Sequence, residues 1–477
     1  MVAVRRQLVR LAKLKHQTQA WLDHHRAMRR WLHVLRLGLF QFGMGLSLAP
    51  LTGTLNRVLI DEARIPAVAV GFLIAIHYFV SPARALIGFH SDQERARGNW
   101  RTPYVALGAM LTYGGLATAP FSLILLSGNG AIGFWPAMVI CTLIFLAYGI
   151  GVNIVETIYL ALVSDITAPQ ERGRVLAVLW IMLVLGTIVS SVLVGMFLID
   201  YNPMRLIRVM QGSAVIFVAL TFLSLWGQER LRPDGKVASQ QDAIRVRLSL
   251  GESLRMLAGQ KMMRGIFALL FIATAAFATH DVLLEPYGGQ VLNMSVAATT
   301  RLTAWWGVAM LTAITLAGWL LWRGRSPVLP ILLGCASGIL GFLIISYASD
   351  AALVGPFRGG VWLIGMGRGM FIVGSLALIM TITDRGHAGL FLGLWGVSQA
   401  LAQGFGTIGG GLVRDIAQHF TGSVVIGYTT VYAASLIGLV VALLLLVSMR
   451  LGRQLQAGNV KSPWSGLQDV PADQILF

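Results

Sequence analysis

Residues 228–263 read QERLRPDGKVASQQDAIRVRLSLGESLRMLAGQKMM. This is a long polar stretch in a chain otherwise made of apolar runs. Six such runs precede it, near 34–57, 66–89, 103–126, 134–163, 174–198 and 207–227. Six follow it, near 264–285, 299–322, 327–348, 356–381, 388–413 and 421–449. Runs of this length with almost no charge predict membrane-spanning helices. The expected organisation is a basic segment over 1–33, a six-helix bundle over 34–227, the link 228–263, a second bundle over 264–449 and a tail over 450–477.

Composition agrees. The 477 residues are 56% hydrophobic and only 12% charged, with a mean hydropathy of +0.73, whereas soluble domains carry about a quarter charged residues. The 54 glycines suit close helix packing in lipid. No segment has the alternating ten-residue pattern of a membrane barrel. Of the 37 Lys and Arg, with those near a span end counted in the adjoining link, 28 fall at the N-terminus, the even-numbered links and the C-terminus, and 7 fall at the odd-numbered links. Arg84 and Arg368 lie inside spans. This asymmetry predicts cytoplasmic termini and a cytoplasmic link. It also directs the net charge of +17 toward anionic lipid head groups, so nucleic acid is not an expected partner. The stretch VRRQLVRLAKLK reads either as a basic helix on the inner membrane surface or as a solvated basic tail. No cleavable signal peptide is expected. Cys141 and Cys335 stand far apart in apolar runs, without metal or redox spacing.

The halves echo each other. SDITAPQERGRVLAVLWIM after span four and TITDRGHAGLFLGLWGV after span ten share an acid, an Arg-Gly pair and a Leu-Trp pair. The acids and arginines are Asp165 and Arg172 in the first, and Asp384 and Arg385 in the second. Two six-span halves joined by a cytoplasmic link are the layout of the major facilitator superfamily. The link GFHSDQERARGNWR resembles that superfamily's cytoplasmic motif, with Gly88, then Asp92, then Arg95, Arg97 and Arg101. That resemblance makes Gly88, Asp92, Arg95, Asp165, Arg172, Asp384 and Arg385 candidates for a cytoplasmic gate. The fold expected is all-α, twelve-span, in two six-helix halves.

Ionisable groups inside spans need a physical reason, because a mid-bilayer charge costs roughly 2.5–3.5 kcal/mol on insertion scales. In span two, His77, Ser81, Arg84 and Gly88 share one helix face. A neutral His77 either bonds a neighbouring helix or ligates a metal centre, the first being the simpler expectation. Arg84, nearer the cytoplasmic end, is expected to snorkel. Span four places Asn153, Glu156 and Thr157 together, so Glu156 is either a proton site or the partner of Arg84 or Arg368. Arg368 sits in a glycine-rich frame near mid-depth and is expected to face the bundle interior. Span seven ends in FATHDVLLEPYGGQV. There Asp281 and Glu285 are expected to share a face with Phe277, Glu285-Pro286 to end the helix, and Gly288-Gly289 to make a tight turn. His280, Asp281 and Glu285 would then reach interfacial water.

Residue order adds a resemblance. DVLLEPYGGQVLNMSVAATTRLTAWWG, LTGTLNRVLIDEARIPA, SPARALIGFHSD, ETIYLALVSDITAPQERGRVLAVLWIM and GLFLGLWGVSQALAQGFGTIGGG resemble regions of the PucC/LhaA family, across about 36–448. That family is the bacteriochlorophyll-delivery branch of the superfamily. The resemblance implies a light-harvesting assembly factor in the inner, intracytoplasmic membrane of a phototrophic bacterium. Bacteriochlorophyll would be a transient ligand, with no protein-bound metal. Light-harvesting α and β polypeptides would be partners, with bacteriochlorophyll synthase and the insertion machinery as further ones. His77 or His280 would offer an axial nitrogen to the pigment's magnesium. Asn56, Arg84, Asn153, Glu156 and Arg368 would meet polar ring substituents or gate the cytoplasmic side. Asp281 and Glu285 would order the periplasmic end or an antenna contact. Arg368 departs from the glycine-rich span-ten segments of the family. Two rival readings are a proton-coupled solute transporter and a pigment-free scaffold. Enzyme signatures are absent from the sequence: no Walker loop, nucleophile elbow, zinc spacing or Rossmann fingerprint occurs.

Overall fold

A computed structural model describes residue 28 and residues 31–84, 101–127, 132–167, 171–227, 261–351, 353–382 and 388–449. The basic segment before 28, most of the 228–263 link and the tail from 450 lie outside them. Every regular element among the described residues is helical. The reason is the solvent: lipid offers no hydrogen bonds, so each apolar run must satisfy its own backbone. The helices are α1 Trp31–Glu62, α2 Ala67–Ala83, α3 Thr102–Leu126, α4 Phe134–Ile166, α5 Arg172–Phe197, α6 Pro203–Leu225, α7 Lys261–Ala278, α8 Leu284–Gln290, α9 Val296–Trp322, α10 Val328–Ala351, α11 Val354–Ile382, α12 Ala388–Thr421 and α13 Val424–Ser448. Nine of these are long and apolar enough to cross a membrane, and α2 and α7 are shorter apolar helices. With the 34-residue α12 they make the twelve expected spans. Only α8, at seven residues, is not one of them.

Twelve passes put the start of α1 and the end of α13 on one face, here called the terminal face. The opposite face is called distal. Three helices that start at the distal face carry side-chain caps: Asn202 accepts from Met204 N before α6, Ser295 from Ala298 N before α9, and Ser423 from Ile426 N before α13. Each satisfies an amide that the helix cannot. Proline shapes two spans. Pro50 opens a π-helical turn, Pro50–Leu55, within α1, and Pro82 tightens the end of α2 into a 3-10 turn.

The bundle has an apolar core with buried polar groups set into it, and an apolar outer surface. Leu143, Leu193, Leu343 and Leu444 are exposed on the outer surface, where lipid is their solvent. Inside, Tyr159 and Ser224 both donate to Leu37 O, at 2.7 and 2.9 Å. Glycine sets the closest crossings. A Cβ on Gly334 would strike Gly367 O across α10 and α11, and one on Gly367 would strike Gly334 O. The halves pack along α2–α12 and α5–α9, and at the distal end along α1–α8 and α1–α9.

Span seven differs from expectation. The helix stops at Ala278, before the Glu285-Pro286 pair, and residues 279–283 form the turn. Pro286 instead lies in the first turn of α8, where its missing N–H is no loss. Gly288 and Gly289 are buried within α8 and make no turn. Their missing side chains admit Thr299 and Met294 on one side and Asp61 and Arg57 on the other.

Candidate functional site

Two buried ion pairs organise the interior. The first joins α2 to α4. Asn153 and Glu156, at helical spacing, turn toward α2, while Thr157 donates to Asn153 O in its own helix at 2.6 Å. Arg84 Nη2 lies 2.6 Å from Glu156 Oε2, and Arg84 Nε donates to Asn153 Oδ1 at 2.5 Å. Arg84 therefore does not snorkel: two acceptors within reach replace the water it would otherwise seek. Asn153 Nδ2 also donates to His77 O at 3.0 Å and Gly149 O at 2.7 Å. A Cβ on Gly149 would strike His77, so this glycine permits the approach.

The interhelical bond at His77 thus uses its backbone, not its ring. The ring Nδ1 sits 2.7 Å from Ile74 O in its own helix. It packs on Tyr78 with ring centroids 3.8 Å apart and meets Tyr148 edge-on at 6.4 Å. A neutral imidazole that donates from Nδ1 to a carbonyl presents its Nε2 lone pair, the form that ligates metals.

The second pair joins the α7–α8 turn to α11. Arg368 Nη1 lies 2.5 Å from Asp281 Oδ1, and Arg368 Nη2 donates to Gln403 Oε1 at 3.2 Å. The guanidinium stands 5.7 Å from the Trp306 ring centre, within cation–π range. His280 Nε2 is 3.7 Å from the same Asp281 oxygen. Asn56 Nδ2 reaches Asp281 O at 3.4 Å from the other half. Tyr78 lies within electrostatic reach of Glu156, Asp281 and Arg368, so both pairs border one central region.

Glu285 stands apart from Asp281. The turn at 279–283 rotates α8 away from α7, so the two acids share no face. Glu285 is 4% exposed and His280 is 2% exposed, so neither reaches interfacial water. Glu285 Oε1 accepts from Thr303 Oγ1 at 2.6 Å and rests against Gly53 in the π-helical turn.

A polar clasp around Glu285 went unnoticed in the sequence. Arg57 bonds Glu62 at 3.0 Å, Asp61 at 3.1 Å and Met294 O at 3.0 Å. Gln290 Nε2 donates to Ile60 O at 3.2 Å, while its Oε1 accepts from Arg414 at 2.7 Å and Tyr428 at 2.9 Å. Asp415 takes Arg414 at 2.8 Å and Val68 N at 2.8 Å. Thr54 and Thr300 meet at 3.0 Å. The signals available were the i, i+4 pair Arg57/Asp61 and the adjacent Arg414-Asp415, both at span ends, where charges ordinarily face water. The clasp binds the halves together at the distal face.

Gly88, Asp92, Arg95, Asp384 and Arg385 lie outside the described residues, as do the side chains of Asp165 and Arg172. Among the described residues no three His, Cys, Asp or Glu side chains are placed to hold a metal ion.

Comparison with known proteins accords with this architecture. The chain is 16% identical to the nucleoside transporter NupG, with a TM-score of 0.62 over 88% of this chain and 98% of that one. At that identity the likeness carries the fold alone, the twelve-span major facilitator fold. Among curated sequences it is 36% identical to the "Uncharacterized protein in puhA-bchM intergenic region" of Rhodobacter capsulatus, over 91% of each chain. It is 37% identical to "Protein PucC" of Cereibacter sphaeroides, over 81% of this chain and 84% of that protein. It is 31% identical to the "Bacteriochlorophyll synthase 44.5 kDa chain" of Rhodobacter capsulatus, over 82% and 89%. The family profile described as PUCC protein matches residues 54–453, a range that holds both ion pairs and the clasp. The chain belongs to the PUCC protein family.

Proposed function

We infer that this protein is an assembly factor for a light-harvesting antenna, which binds bacteriochlorophyll and delivers it to the antenna α and β polypeptides. The observation that carries the reading is the family match across 54–453, whose relatives bear the names PucC and bacteriochlorophyll synthase chain. The distal face is then periplasmic, the termini cytoplasmic and the membrane the bacterial inner one. Bacteriochlorophyll synthase, the insertion machinery and anionic lipids are further partners on this reading, and catalysis has no part in it.

The interior suits such a cargo. A flat macrocycle with a magnesium centre and a long apolar tail wants an axial nitrogen, a few polar anchors and an apolar surround. His77 offers the nitrogen at Nε2. Arg84, Asn153 and Glu156 on one side, and Asn56, Asp281 and Arg368 on the other, supply fixed dipoles for ring carbonyls. His280, nine-tenths or more buried beside Asp281, is a positioning group on this reading.

The test is near-infrared absorbance of membranes from a deletion strain, compared with wild type and a complemented strain. Selective loss of an antenna band, restored by complementation, is expected. An unchanged spectrum, with no related gene compensating, overturns the reading.

The buried Arg84–Glu156 pair favours one other reading, a proton-coupled solute transporter, because a pair that breaks on protonation can gate a cavity. Substrate-dependent proton flux in loaded liposomes distinguishes it.

A further inference from the structure

Glu285 is the feature of the interior that neither reading uses. It belongs to α8, the short helix between α7 and α9, and it inserts between the halves, against Gly53 of α1 and Thr303 of α9. Its Oε1 has one donor, Thr303. Its Oε2 is buried with no hydrogen-bond partner. Gly53 of α1 closes over it so tightly that a single added carbon would overlap Oε1.

The surrounding charges are all committed elsewhere. From α1, Arg57 faces this region, but its guanidinium is held by Asp61, Glu62 and Met294 O. From α9, Arg301 lies against Gly195 of α5. In the adjoining turn, Asp281 is bound by Arg368, with His280 beside it. From α12, Arg414 is taken by Asp415 and Gln290. Among the described residues no cation forms an ion pair with Glu285.

A carboxylate shut away from water with no ion-pair partner is strongly disfavoured. The neutral acid fits the same space: Oε1 accepts from Thr303 as a carbonyl oxygen, and Oε2 carries the proton. We propose that Glu285 is a proton-binding site between the two halves, and that closing the distal face takes up one proton which opening releases. This inference is independent of what the protein carries.

The sign follows from enclosure. With the face closed, Glu285 is shut between Gly53 and Thr303 with Oε2 unpartnered, which favours the neutral acid. In an open form, water returns and favours the carboxylate. The closed form therefore binds more protons, so rising pH favours opening, by at most about tenfold per pH unit.

The test uses the full chain in lipid nanodiscs. Spin labels at Met204→Cys and Phe420→Cys, both exposed at the distal face in opposite halves, report the separation as a function of pH. The closed population is expected to fall as pH rises. Glu285→Gln is expected to stay closed at every pH. Thr303→Val, which removes a donor to the charged form, is expected to move the transition to higher pH. It also serves if the Gln variant folds poorly. A separation independent of pH in the wild type overturns the proposal. So does a Gln or Val variant that follows the wild-type curve.

Discussion

Arg368 and Asp281, 87 positions apart in the chain, meet at 2.5 Å between α11 and the turn after α7. Their side chains are 13% and 24% exposed, so the pair is largely shut off from solvent. An arginine of this kind, deep in a glycine-rich helix, is tolerated because the acid, Gln403 and the Trp306 face together replace its water.

Removing one partner of this pair leaves the other as a lone buried charge. Arg368→Ala or Asp281→Ala is expected to destabilise the protein by about 3–5 kcal/mol. The double variant is expected to recover much of that loss, because no charge then remains uncompensated. Thermal unfolding in detergent for the two single variants and the double checks it. Equal, additive losses would mean that the pair is not coupled.

The Arg84–Glu156–Asn153 group predicts an asymmetry. Glu156→Gln keeps an acceptor for Arg84 but removes the opposite charge. Asn153→Ala removes an acceptor from Arg84 and also a donor to His77 O. The first is expected to cost more, since charge-assisted hydrogen bonds are roughly twice as strong as neutral ones. Denaturation of the two variants under one condition ranks them. The reverse order would make the α2–α4 link a packing contact and not an electrostatic one.

The parts that were legible in the sequence are those set by local solvent preference. Apolar length placed the spans. Spacing alone placed Asn153 and Glu156 on one face. The turn at 279–283 was not legible, because it is fixed by partners distant in the chain. Arg368 draws Asp281 one way and Thr303 draws Glu285 another. A rule for the residue before proline could not foresee that Pro286 would open a new helix. Arg57, Gln290 and Arg414 were hidden for a related reason. Arg57 and Arg414 sit at span ends and Gln290 in the connection after span seven, where water is the expected partner, and only the approach of the other half converts them into a clasp.

His77 supplies a prediction specific to the cargo. With Nδ1 on Ile74 O, its Nε2 is the ring atom left to take a magnesium. His77→Phe keeps the ring stacking with Tyr78 and removes the nitrogen. It is expected to lower the pigment that copurifies with the protein, while the lost Ile74 bond and the larger ring lower thermal stability by about 1–3 kcal/mol. Unchanged pigment stoichiometry would remove His77 from the site.

The clasp makes the last prediction. Gln290 holds α8 to α1 through Ile60 O, and to α12 and α13 through Arg414 and Tyr428. Gln290→Ala deletes all three bonds and leaves the Arg414 side chain with Asp415 and the face of the Tyr428 ring. Hydrogen bonds to charged groups contribute about 1.5–3 kcal/mol each, so losing even the Arg414 bond favours opening by at least about tenfold. Thr300 is buried in the closed form, 2% exposed, where it meets Thr54. A cysteine there reacts with a membrane-impermeant thiol reagent only when the face opens. Thr300→Cys is expected to be modified about tenfold faster when Gln290→Ala is also present. An equal rate would place the hold on the distal face in the apolar packing of α2–α12 and α5–α9, and not in the clasp.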